Sequence, residues 1–93
     1  METNTNRIKL KHLKAGDKIA AGYRTIYNGK LHVHIPSPTE YKKRNVRIEF
    51  AIGICTVEEV TEIRAGYFRI KIAGIPQPAE HYGYGYATKF INA

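Results

Sequence analysis

His32 and His34 stand two residues apart, a spacing that points two imidazoles to one side of an extended chain. They would share a metal ion if the fold supplied a third ligand from Cys55, His12 or His81. No spacing specifies that third ligand, so the pair reads as a solvated, basic couple that gains charge as pH falls, and neither metal nor cofactor is expected. Cys55 lies in the most apolar run of the chain, where a cysteine behaves as a small buried hydrophobe rather than a nucleophile. Glu58, Glu59 and Glu62 form an acidic edge, and Asp17 is placed to hydrogen-bond its own turn. There is no glycine-rich phosphate loop, no Ser-His-Asp set and no Cys-x-x-Cys pair. A non-enzymatic protein is expected.

Binding chemistry is better represented. The run Lys42-Lys43-Arg44, with Arg24, Lys30 and Arg47, offers cations to phosphates, and Tyr23, Tyr27, His32 and His34 offer rings beside them. Tyr82 and Tyr84 begin a row continued by Tyr86 and Phe90. Such a row is either a platform on which bases stack or a wall over the core with its hydroxyls in water. Of the 93 residues, 15 are Lys or Arg and 8 are Asp or Glu, a formal charge of +7. The excess lies in residues 1–47, which hold eleven basic and three acidic side chains, against four and five in residues 48–93. A basic half attracts nucleic acid or an acidic protein surface. The expected function is therefore a small nucleic-acid-binding module. The alternatives are a protein-interaction module (a regulator or inhibitor) and a self-associating structural subunit. The opening stretch has no apolar run of signal-peptide length, and no long apolar segment follows, so a cytoplasmic protein without membrane contact is expected.

The elements that must position these residues are strands. Residues 1–6 are polar and aperiodic and are expected to be a disordered tail, with residues 7–93 as one domain. Arg7 to Lys11 alternates as a first strand. Leu13-x-x-Gly16-Asp17-x-Ile19 then makes a tight turn; it resembles the opening turn of Src-homology-type barrels and of the barrel modules of translation proteins. That resemblance implies a small, strongly bent β-barrel. Asn28-Gly29 marks a two-residue hairpin loop that pairs Tyr23 with His34 and Thr25 with His32. Ile26, Leu31, Val33 and Ile35 then face the core, and Tyr23, Tyr27, Lys30, His32 and His34 face outward.

Ser37-Pro38-Thr39-Glu40 has the form of a helix capping box, and a short helix ending in Lys42-Lys43-Arg44 follows from it. From Val46 to Ile54 apolar residues alternate with polar or small ones, which predicts a long strand. It bends at Glu58-Glu59, turns at Arg64-Ala65-Gly66 and returns through Phe68, Ile70 and Ile72. His81 to Ile91 predicts a last strand, regular only from about Tyr84, with Gly83 and Gly85 marking a close backbone approach. The expected fold is all-β: one small, bent antiparallel barrel of five or six strands with at most one short helix.

Overall fold

Apolar residues on alternate positions of β-branched segments need a second layer to cover them, and here strands supply it. The computed structural model describes residues 4–91. Its strands are β1 Thr5–Lys9, β2 Lys18–Thr25, β3 Leu31–His34, β4 Gly53–Arg64, β5 Tyr67–Ile72, β6 Ala79–Tyr82 and β7 Tyr86–Phe90. Two short helices, α1 Pro38–Tyr41 and α2 Arg44–Glu49, lie between β3 and β4. The sheet is antiparallel throughout, in the order β1-β7-β2-β4-β5-β6, with β3 paired to the far end of β2. Ile19, Ala21, Val57, Ile70, Ile72, Ala79 and Ala87 project from its strands into one buried cluster, which Leu10, Leu13, Ile35 and Ile75 close from the connections. Among the described residues no helix is long and apolar enough to cross a membrane.

The local signals that depend on few residues are realised. Ser37 accepts from the Glu40 amide while the Glu40 carboxylate accepts from the Ser37 amide, so both halves of the capping box form. The β4–β5 ladder shifts register between Val57 and Glu59, which bends the strand at the expected place. The Lys14 amide donates to Asp17 Oδ2 at 3.0 Å, holding the Ala15-Gly16 turn.

Elsewhere the fold departs from the sequence expectation. The sheet is not closed: β1 and β6 end the strand order, and at Leu10–His12 the chain leaves β1 in a 3-10 turn. Two backbone bonds reach from that turn, Leu10 N–H to Gly85 O and Lys11 N–H to Gly83 O, without completing a ladder. Thr5 and Asn6, expected in the tail, belong to β1; residues 1–3 of that tail lie outside the described residues. The stretch His81 to Ile91 is two strands rather than one. The chain leaves β6 at the sheet edge, turns through residues 83–85 and enters β7 between β1 and β2.

Val46 to Ile52 is not strand. Residues 44–49 form α2, which ends in a paired-bond cap: Ala51 N–H donates to Ile48 O at 3.2 Å and Ile52 N–H to Arg47 O at 2.9 Å. Val46 and Phe50 fall four apart, on one side of a helical turn; Phe50 is buried and Ile48 is exposed. The cap needs a left-handed residue, usually glycine, and Ala51 occupies it at φ 50°. An L-residue there is strained by roughly 1–2 kcal/mol. Ala51→Gly is therefore expected to raise stability by about 1 kcal/mol, read as a higher urea midpoint with an unchanged slope. A lower midpoint would mean that the Ala51 methyl makes a packing contact worth more than the strain.

The β2–β3 hairpin is one residue out of the expected register. Ile26 and Lys30 face each other across a three-residue loop, with Gly29 N–H donating to Ile26 O at 2.8 Å. In the loop only Gly29 has positive φ, at 80°, which is the three-residue hairpin with a left-handed third residue rather than the two-residue turn. Tyr23 now pairs with Val33 and Arg24 with His32. The faces of β3 remain as expected, and those of β2 are exchanged.

Candidate functional site

The register of β2 decides where the ring-and-cation face lies. Arg24, His32 and His34 fall on one face and converge on Phe50, the residue that ends α2. His34 stacks on its ring (4.5 Å between centroids, 29°) and His32 meets it edge-on (5.2 Å, 88°). Arg24 lies 5.2 Å above the same ring and pairs with Glu49 at 2.7 Å. His34 Nε2 sits 3.4 Å from Glu40 Oε2, too long for a good hydrogen bond. The Ser37 amide, and after it His34, holds the Glu40 carboxyl below the usual range. Burial, and then the nearby His34, pushes His81 below the ordinary histidine value. His32 and His34 thus pack around Phe50, and among the described residues no three His, Cys, Asp or Glu groups gather as a metal site. Tyr23 leaves this face for that of Val33, and Tyr27 stands fully exposed at the hairpin tip beside exposed Lys30.

The basic run forms a second group. Lys42 ends α1, Lys43 precedes α2 and Arg44 begins it, all three exposed. Among the described residues no carboxylate lies within ion-pairing distance of any of them. Arg44 was expected at a helix C-terminus, where the dipole favours a cation; it occupies an N-terminus, where the dipole disfavours one. Arg47, further along α2, reaches over the ring of Tyr41 at 5.7 Å.

A third group gathers on β5 and β6, where antiparallel pairing places Tyr67 opposite Tyr82. Their rings meet edge-on at 4.8 Å, Tyr84 stacks on Tyr82 at 5.6 Å and 17°, and Arg64 covers Tyr67 at 4.1 Å. The result is a four-member ladder. Tyr82 is 50% and Tyr84 74% exposed, so these rings stand off the core instead of walling it. Gly83 sets this arrangement: a Cβ there would lie 2.6 Å from the Phe68 ring and 2.8 Å from Lys11 Cβ, so the backbone itself packs inward between its two outward tyrosines. Sequence reading named Tyr82, Tyr84 and the tight Gly83, but in one row with Tyr86 and Phe90, which the turn at residues 83–85 places on β7. It missed Arg64 and Tyr67, whose only signal was the turn that brings β5 back along β4.

Cys55 is half-buried, donates its thiol to Ala21 O at 3.4 Å and is pushed up in pKa by burial, which keeps it a thiol. Glu62 accepts from the Gly66 amide at 2.9 Å and Glu59 from the Thr61 hydroxyl at 3.2 Å, so both serve the hairpin. Asp17, 6% exposed, also pairs with Lys89 at 3.3 Å. No family model, curated protein or solved structure matches the chain, and its function has to be read from these surfaces.

Proposed function

We propose that this chain is a non-enzymatic module that binds single-stranded nucleic acid, stacking bases on the Tyr67-Tyr82-Tyr84 ladder and holding phosphates on the Lys42-Lys43-Arg44 corner. The observation that carries the reading is the ladder itself: Tyr82 in ring contact with both Tyr67 and Tyr84, Tyr67 capped by Arg64, and Tyr82 and Tyr84 open to solvent. Exposed rings lose apolar contact that a buried position would give, and a stacked base restores it whatever its identity. Unpaired cations on α1 and α2 supply the sequence-independent attraction that such binding needs.

Fluorescence anisotropy of a labelled single-stranded oligonucleotide at low salt tests it. Tyr84→Ala is expected to weaken binding by about 5-fold or more, the value of one stacked base, and to leave the unfolding midpoint unchanged because Tyr84 lies outside the core. Absence of binding at low salt, or a Tyr84→Ala variant that binds like the parent, overturns the reading. Exposed Ile48 and Ile54 favour a second reading, an apolar contact with a protein partner or a second copy. Light scattering that returns a dimer broken by Ile48→Asp, together with no oligonucleotide binding, would replace the first reading by the second.

A further inference from the structure

The same alternation that sends Ile8 and Ala87 into the core sends Thr5, Arg7, Tyr86, Thr88 and Phe90 to the opposite face of β1 and β7. Helix α1 lies along that face, with Tyr41 edge-on to Phe90 at 5.9 Å. Between helix and strands two adjoining hollows open, of about 220 and 310 Å³, both lined by Arg7, Pro38 and Lys42. The first lies below and the second at the lower end of the roughly 300–1,000 Å³ of small-molecule sites, which suits a ligand no larger than one nucleotide.

Their lining is chemically one-sided. Arg7 and Lys42 bring two cations, Tyr41, Tyr86 and Pro38 bring apolar walls, and no lining residue is acidic. The Arg7 guanidinium rests on the Tyr86 ring, 4.3 Å from its centroid. That contact holds the planar fork in place while leaving its N–H edges open, and among the described residues no carboxylate takes them. Thr88 lines the first hollow, is 3% exposed, and its buried Oγ1 has no hydrogen-bond partner among the described residues. A buried hydroxyl without a partner is a standing cost that a ligand would relieve.

We propose that the groove between β1 and α1 holds one nucleotide unit, its phosphate between Arg7 and Lys42, its base against Tyr41 and Pro38, and Thr88 Oγ1 bonded to a polar edge of the ligand. The proposal rests on the nucleic-acid reading for the source of that nucleotide; Tyr86, which Arg7 covers, follows Tyr84 of the ladder by two residues. A free nucleotide has the same chemistry and would fill the groove without the ladder.

Amide chemical-shift mapping separates these cases. Titration with adenosine 5′-monophosphate is expected to move Thr5, Arg7, Tyr41, Lys42 and Thr88, and inorganic phosphate to move only Arg7 and Lys42 and more weakly. Arg7→Gln is expected to weaken the mononucleotide by about 10-fold, as loss of a charged hydrogen-bonding partner does. Thr88→Val keeps the branched shape, so its unfolding midpoint should equal or exceed the parent's, while its mononucleotide affinity falls by about 3-fold or more. Thr88→Val that binds like the parent removes the hydroxyl from the site and overturns the proposal as stated. If the oligonucleotide binds and the groove residues do not move, the groove assignment fails and the ladder reading stands. If the mononucleotide moves them and no oligonucleotide binds, the groove is a free-nucleotide site and the ladder reading fails. If neither ligand perturbs the chain, both fall.

Discussion

Replacing Gly22 with alanine is expected to destabilise the domain by about 3 kcal/mol or more, beyond the usual range for one added methyl in a packed site. Gly22 is buried in β2 where the cap of α2 crosses it, and an added Cβ would run into the Phe50 carbonyl oxygen, lying 2.7 Å from Ala51 O and 2.9 Å from the Ala51 carbonyl carbon. All three are backbone atoms. They belong to the turn that the Ile52 N–H to Arg47 O bond holds, and directly after it Gly53 is already paired with Ala21 and Ile54 with Ala20. Relief would require breaking the helix cap or sliding β4, and either one also moves Phe50 away from His32, His34 and Arg24. Gly53→Ala is the control, because nothing lies within 4 Å of its Cβ position and its φ is negative; it should be neutral or slightly stabilising. Urea unfolding of both variants reads the difference. A Gly22→Ala midpoint near the parent's would show that the α2 cap does not press on β2.

The same turn explains why sequence reading made residues 46–52 a strand. A helix stop is recognised by glycine at the left-handed position, and here an alanine at φ 50° fills it, so the stop carries no signal. Val46, Ile48, Phe50, Ile52 and Ile54 alternate in sequence, yet Ile48 and Ile54 are exposed while Phe50 is buried. The period of two was therefore a spacing without a burial face behind it. The hairpin failed on a similarly small matter, Asn28 keeping a negative φ and leaving Gly29 alone in the left-handed region, which lengthened the loop by one residue. What was legible was local: the Ser37–Glu40 capping box, the bulge at Glu58-Glu59, the tightness at Gly83. The ladder and the groove were not, because Tyr67 meets Tyr82 and Arg7 meets Tyr86 only through strand pairing between distant segments. A lone tyrosine in a sequence says nothing about which ring will lie beside it.

Changing Lys42, Lys43 and Arg44 together to alanine is expected to lower affinity for a single-stranded oligonucleotide by about 100-fold at 0.05 M salt and to reduce the slope of log K against log salt by about 2, from three lost phosphate contacts at roughly 0.7 each. The two lines should converge toward high salt. Stability should change by less than about 0.5 kcal/mol, since Lys43 makes no side-chain capping bond and none of the three pairs with a carboxylate among the described residues. Arg44 stands at the positive end of α2, where a cation costs a few tenths of a kcal/mol, so its removal cannot harm the helix. Arg24→Ala supplies the contrast: its guanidinium is taken by Glu49 at 2.7 Å, so the salt slope should be nearly that of the parent. If the triple variant and the parent give parallel lines, these cations do not meet phosphate. If Arg24→Ala lowers the slope as much as the triple change does, the attraction belongs to the net charge of the chain and not to the corner between α1 and α2.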